Sequence, residues 1–327
     1  MLNKTFFLFP AQGAQYPGMA LDLLKQSSHT ESGVKQLFSI ASEIQGCDMT
    51  ELLANSSPEY LKRTDISQPA ITLANLAAYE FLAEKGITPM GCAGFSLGEY
   101  AALAVARVIS ARDCFFLVKQ RGEAMQAAID HIQRDSHAPG MAAVIGLSPQ
   151  QVETLIAEWK NSKLNDLYAA NFNSAKQVAV SGTAAALDEA EKRFKEAGAR
   201  RFIRLEVAGP YHSPFMKEAA DAFASDLEKV EFLDPVIPIF SNVTGKQIQS
   251  GAEAKALAVK QIVEAVRWTD EEAAIALLKP NLLLEAGPGK VLQGLWGDTG
   301  SEIPCYGAGT MVEINELENK CQSTTPP

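Results

Sequence analysis

From Phe6 to Val108, short apolar runs alternate with longer stretches in which apolar residues recur every three or four positions. Phe6 to Phe9 is an unbroken apolar run of strand length, followed by a loop rich in glutamine and glycine. Ile71, Ala74, Ala78, Phe81 and Leu82 keep a helical period, and Lys85-Gly86 reads as the stop of that helix. A second apolar run, Ile87 to Ala93, leads into Gly94-Phe95-Ser96-Leu97-Gly98. Beyond it Leu97, Ala101, Ala104 and Val108 fall on one helical face. Buried strands alternating with helices predict an α/β fold with a mostly parallel sheet.

Between Gly140 and Leu205 the alternation tightens. Met141 to Ile145 reads as strand, Gln150 to Trp159 as helix, and Leu167 to Asn171 and Gln177 to Ser181 as strands. Ala184 to Ala197 reads as helix and Arg201 to Leu205 as strand. The order β-α-β-β-α-β is that of a ferredoxin-like unit, here the length of a small inserted domain. The polar stretch Asp130 to Pro139 and the segment Glu206 to Pro210 read as its crossings back to a larger domain. The pattern thus divides the chain into a large domain, 1–137 with 207–318, and a small one, 138–206. After the insert, Pro235 to Asn242 and Leu282 to Glu285 read as strands, the latter running into a Gly287-Pro288-Gly289 turn and a helix. The polar stretch 319–327, ending in two prolines, reads as a disordered tail.

Composition narrows the chemistry. Of 327 residues, 47% are hydrophobic and 21% charged, which is globular. A net charge of −10 without a basic run argues against nucleic-acid binding. The apolar N-terminal run is too short for a signal peptide, and no stretch reaches the about 18 apolar residues of a spanning helix, so no membrane association is expected. Cys47, Cys92, Cys114, Cys305 and Cys321 are odd in number and lack metal-ligand spacing, which implies reduced thiols, a cytoplasmic protein and no metal site. Gly287-Pro288-Gly289 invites a phosphate-loop reading, but Leu292 stands where a third glycine is needed.

Gly94-Phe95-Ser96-Leu97-Gly98 has the spacing that places a serine on a sharp strand-to-helix turn with its hydroxyl exposed. Ser96 is therefore a candidate nucleophile, and the glycines give room around a residue of positive φ. A serine nucleophile needs a base. Of four histidines, His29 lies in a polar stretch and His131 and His137 in the polar connector, where a solvated role fits each. His212, in Ala208-Gly209-Pro210-Tyr211-His212-Ser213-Pro214, sits on a rigid turn that reads equally as an aimed base or as a hydrogen-bonded structural histidine.

Phe9-Pro10-Ala11-Gln12-Gly13-Ala14-Gln15, the serine turn with Glu99, Gln120-Arg121-Gly122, Pro210-Tyr211-His212-Ser213, Ser241-Asn242-Val243-Thr244-Gly245, Val266-Arg267-Trp268 and Glu285-Ala286-Gly287-Pro288-Gly289 follow one another in this order. Together they closely resemble malonyl-CoA:acyl carrier protein transacylases and the related acyltransferase domains of polyketide synthases, from Phe6 to about Gly309. The resemblance implies an α/β-hydrolase-like core with an inserted ferredoxin-like subdomain. It implies a nucleophile at Ser96, a base at His212, oxyanion-binding N–H groups at Gln12 and Leu97, and a main-chain carbonyl at Gln261 that orients the histidine in place of an aspartate. Arg121 falls on the family's carboxylate-reading position. A guanidinium fork there suits an acyl chain that ends in a carboxylate. Phe95, Met125 and Tyr211 would line the pocket.

The chain departs from the family pattern at Phe95, where histidine is usual, at Ala11 and Ala14, and at Tyr211. These departures bear on rate and acyl selectivity. The implied function is transfer of malonyl from malonyl-CoA to the phosphopantetheine thiol of an acyl carrier protein, supplying fatty-acid synthesis, by a monomer without a permanently bound cofactor. A polyketide pathway or a serine hydrolase on the same fold are the alternatives. Carrier proteins are usually acidic, and Lys192, Lys195, Arg200, Arg201 and Arg204 are the basic residues that could meet one.

Overall fold

The computed structural model describes residues 4–27, 32–134, 138–160 and 164–323. Its eight strands are β1 (Thr5–Phe9), β2 (Pro89–Gly94), β3 (Gly140–Ile145), β4 (Leu167–Ser174), β5 (Gln177–Gly182), β6 (Arg201–Arg204), β7 (Leu282–Glu285) and β8 (Cys305–Gly307). They form two sheets. β2, β1, β7 and β8 are neighbours in that order and all parallel. β4, β5, β3 and β6 form an antiparallel sheet whose order is that of a ferredoxin-like unit.

Every residue of β1 is buried, as a parallel strand covered on both faces must be. Its side chains alternate between two cores. Phe7 and Phe9 join Leu282, Leu284 and the long helices on one side. Phe6 and Leu8 join Leu283, Trp268 and Trp296 on the other. The period of two thus reads Phe6-Phe7-Leu8-Phe9 into two hydrophobic layers.

In the small sheet, Ala142, Val144, Leu167, Phe172, Val178 and Val180 pack against the helices Pro149–Lys160 and Ala184–Glu196. Met141, Ala170 and Ala179 turn to the opposite face, toward Tyr211 and the large domain. Val266 joins the two parts: Phe172 N–H donates to its carbonyl at 2.9 Å, and its own N–H donates to Ala170 at 2.9 Å.

Three expectations need correction. Pro235 to Asn242 is not a strand; it touches β2 through one isolated bridge, Cys92 to Ile239, because Pro235 and Pro238 remove the donors a ladder needs. The helix after the serine turn runs only from Gly98 to Val105, and Gly98 to Leu103 are buried on every side, so it has no single apolar face. The helix Met311–Ser323 carries residues 319–323 on from the body of the protein, whereas 324–327 lie outside the described residues. So do His29 and His137.

Candidate active site

Ser96 sits at φ 47°, in the left-handed region, between the end of β2 and the helix Gly98–Val105. The flanking glycines are required by contact as much as by φ. A Cβ on Gly94 would run into the backbone of Gly98 and Glu99, and one on Gly98 into the carbonyl of Phe9 at the end of β1. The turn is braced from below. Asn242 Nδ2 donates to Gly94 O at 2.7 Å and to Glu271 Oε1 at 2.8 Å, and Asn242 N–H donates to Glu99 Oε2 at 2.8 Å. Burial raises Glu99 to about 7 and pushes Glu271 well above the usual carboxylate range.

His212, also at positive φ (53°) and 5% exposed, meets the serine: Ser96 Oγ lies 2.8 Å from His212 Nε2. His212 Nδ1 lies 2.9 Å from the carbonyl oxygen of Gln261 and 3.2 Å from that of Glu264. A carbonyl can only accept, so Nδ1 carries the proton and Nε2 is left to accept from the serine hydroxyl. Burial, together with the charge of Arg121, lowers His212 to about 4. The imidazole is therefore neutral at pH 7, and the pair can take a proton from Ser96 as its oxygen attacks an electrophilic carbon.

Ser96 and His212 face a cavity of about 630 Å³ between the two sheets. Met141, Asn171, Asn173 and Ala179 of the small sheet line one side; Gln12, Leu97, Phe95, Arg121, Met125 and Tyr211 line the other. All the sequence-selected residues except Gln261 thus border one space, and Gln261 packs behind it. The N–H groups of Gln12 and Leu97 donate to no other group among the described residues. Two unspent donors beside a serine are what a developing oxyanion needs. The Gln12 side chain is held by Tyr211 Oη at 3.3 Å, and Tyr211 Oη in turn meets Thr64 Oγ1 at 2.9 Å. Phe95 stacks edge-on against Trp268, with ring centroids 5.4 Å apart, so its ring is absorbed by packing.

Arg121 lies on the helix Ala111–Ile132 and is 1% exposed. The glycine after it explains its placement. A Cβ on Gly122 would come within 3.0 Å of Thr64 O, so the helix Thr64–Glu84 passes close by here. That approach brings Arg121 Nη1 to 2.8 Å from Gln68 Oε1, while Nη2 lies 3.1 Å from Gln261 Oε1. Gln68 is the site residue that sequence reasoning missed. It stands among other polar residues, Asp65, Ser67 and Thr72, and nothing local sets it apart; only the neighbouring helix reveals what it faces.

Gly287 also has a contact reason: a Cβ there would strike Asn75 and the ring of Pro10. Asn75 Nδ2 donates to Pro10 O at 2.9 Å, so this turn clamps the loop that carries Gln12. The N–H groups of Leu292 and Gln293, which open the following helix, are taken by the Glu285 carboxylate at 3.1 and 2.8 Å, leaving no cradle for a phosphate. His131 lies at the surface, 2.8 Å from Glu218. Lys192, Lys195 and Arg204 each face a carboxylate of their own domain, whereas Arg200 and Arg201 are exposed on it. Among the described residues there is no cluster that could hold a metal ion, and no helix is long and apolar enough to cross a membrane.

Comparison with known proteins agrees with this geometry. The acyl transferase domain family matches residues 6–315. The malonyl CoA-acyl carrier protein transacylase of Bacillus subtilis is 34% identical over 294 residues, 90% of each chain. The crystal structure of the corresponding transacylase from Clostridium perfringens superposes with a TM-score of 0.89 at 30% identity, covering 98% of each chain. A malonyl-transacylase solved with a type II polyketide synthase acyl-carrier protein is 34% identical, with a TM-score of 0.86, over 97% of this chain and 100% of that one. With the family matched over nearly its whole length, and a serine–histidine pair and a buried arginine around one cavity, the chain belongs to the acyl transferase domain family, among the malonyl-CoA:acyl carrier protein transacylases.

Proposed function

We propose that this protein moves a malonyl group from malonyl-CoA to the phosphopantetheine thiol of an acyl carrier protein through a malonyl ester on Ser96. The observation that carries the reading is the 2.8 Å Ser96–His212 contact opening onto the same cavity as Arg121. Ser96 Oγ attacks the thioester carbon while its proton passes to His212 Nε2. The N–H groups of Gln12 and Leu97 receive the negative oxygen, and losing one such donor typically costs ~10²–10³ in rate. Collapse breaks the C–S bond, and the CoA sulfur leaves with the proton held on Nε2. In the second half the carrier's thiol gives its proton to Nε2, its sulfur attacks the malonyl-serine carbon, and Ser96 regains a proton as the ester bond breaks.

The carbonyls of Gln261 and Glu264 hold the imidazole ring in place and favour the imidazolium formed in each half. Because the site disfavours that cation, the proton is handed on readily to the departing group. Arg121 binds the free carboxylate of malonyl. The transacylase solved with its acyl-carrier protein supports the choice of acceptor. Acyl transfer through a serine ester involves no change of oxidation state, so the reading calls for no resident cofactor, and we take the protein to act as a monomer. The free thiols of Cys47, Cys92, Cys114 and Cys305 suit a reducing, cytoplasmic setting.

Incubation with malonyl-CoA alone should add one malonyl group, at Ser96, in intact-protein and peptide mass spectrometry, and Ser96→Ala should abolish it. A label on another residue would refute the assignment.

A further inference from the structure

Arg121 is a buried cation with an unusual set of neighbours. Two of its nitrogens donate to side-chain amide oxygens, those of Gln68 and Gln261, and both glutamines are almost wholly buried. Its guanidinium carbon lies 5.5 Å from the centre of the Tyr100 ring, and its Nε has no partner. Among the described residues no Asp or Glu forms an ion pair with it, whereas twelve other lysines and arginines do pair with a carboxylate. Glu99 attracts it through space but forms no ion pair with it, its oxygen being engaged with Asn242 N–H and with Gln261 Nε2.

The amide orientations are forced. Arginine can only donate, so the oxygens of both glutamines must face it. Gln261 Nε2 points the other way, to Ser96 O at 2.8 Å, and Gln68 Nε2 points to Met125 Sδ at 3.3 Å. Amide oxygens orient a guanidinium by hydrogen bonding, as carboxylates also do, yet they carry no net charge and cannot neutralise it. A carboxylate in either position would form an internal pair and compete with any anionic ligand.

We propose that Gln68 and Gln261 set the acyl specificity of the site as positioning residues: their neutral side-chain oxygens aim Arg121 into the cavity and leave it without a directly paired carboxylate, open to that of the incoming acyl group. The proposal rests on the malonyl-transfer reading and adds to it the reason the arginine discriminates. Gln261 also ties this reader to the chemistry, since one residue contacts Arg121, Ser96 O and His212 Nδ1.

The test compares wild type, Gln68→Glu, Gln68→Met and Arg121→Ala, each assayed for acylation by malonyl-CoA and by acetyl-CoA. Glutamate is nearly isosteric with glutamine but brings the missing counter-charge. Gln68→Glu should lower the malonyl-to-acetyl ratio of kcat/KM by about tenfold or more, mainly through KM for malonyl-CoA, because the ligand carboxylate now competes with an internal one. Gln68→Met, which removes the acceptor without adding charge, should lower the ratio less. An unchanged ratio in Gln68→Glu, or equal losses for both substrates in both Gln68 variants, overturns the proposal. Should Gln68→Glu not accumulate as folded protein, Met125→Glu carries the same expectation, since Met125 lies one helical turn from Arg121 and against Gln68. The Arg121→Ala arm separates the two levels. If its ratio is unchanged, the carboxylate-reading role of Arg121 fails; if its ratio falls while that of Gln68→Glu does not, only the present inference fails.

Discussion

His212 shows how one residue's surroundings decide its chemistry. Burial comes first, and the charge of Arg121 second, in lowering it from 6.5 to about 4, while the carbonyls of Gln261 and Glu264 work in the opposite direction. The neutral form is the working base, so acylation should stay flat as pH falls from neutrality to about 5 and decline only near 4. In Arg121→Ala the cation is gone and water can enter, and both changes favour the imidazolium. The acid limb of kcat/KM for acetyl-CoA should therefore move up toward 6.5, and an unmoved limb would show that Arg121 exerts no field on the base. His212→Ala should lose ~10²–10⁴ of the transfer rate while still binding malonyl-CoA. Near wild-type turnover in single-turnover assays would remove His212 from the mechanism.

At the scale of elements, the serine turn is a strained junction held by its neighbours. Ser96 at φ 47° is a non-glycine residue in a region that costs of order 1 kcal/mol, and Asn242 and Gln261 hold the backbone on either side of it. Ser96→Gly should thus be inactive yet more stable than wild type, by about 0.5–1 kcal/mol before the lost Ser96–His212 contact is counted. Gly98→Ala should behave oppositely. Its methyl group meets the Phe9 carbonyl, so the helix must move off β1, at a cost of about 1–3 kcal/mol and with loss of acylation, because the Leu97 N–H moves with it. Urea unfolding of both variants beside wild type checks the pair of signs; a Gly98→Ala protein of wild-type stability and activity would mean that the junction is not tight.

The whole molecule carries an unusual charge ledger, with carboxyls buried around the large sheet. Burial raises Glu272 to about 8 and Glu99 to about 7 from an ordinary 4.5. Each binds its proton more tightly folded than unfolded. The stability they contribute is complete below about 4.5 and is lost as pH rises through 7 and 8. His212 runs the other way: its folded value lies below its unfolded one, so stability falls as pH drops from 6.5 toward 4. Glu272→Gln can keep an acceptor for Trp268 Nε1, which lies 2.9 Å from Glu272 Oε1, and removes one ionisation. Thermal melts should show it gaining on wild type between about pH 5 and pH 9, by on the order of a few degrees. A constant difference across that range would mean that Glu272 ionises without penalty.

Periodicity and composition were enough for the local elements. An unbroken Phe6-Phe7-Leu8-Phe9 run, an apolar approach to Gly94, and β-α-β-β-α-β spacing from Met141 to Leu205 each reflect short-range burial patterns, which a chain writes into consecutive residues. The ordered motifs likewise picked out Ser96, His212 and Arg121. What the chain could not show is where distant backbone comes close. Pro235 to Asn242 looks like a strand until its prolines meet β2, and β8, at three residues, is too short to announce itself. The glycines at 98, 122 and 287 take their meaning from Phe9, Thr64 and Pro10, far away in sequence. Gln68 reads as one of several polar residues at the start of its helix, and only the crossing of two helices turns it into a neutral partner for a buried cation. The same holds for the protonation state of His212, since desolvation and a neighbouring charge are properties of the packed molecule and have no local signature.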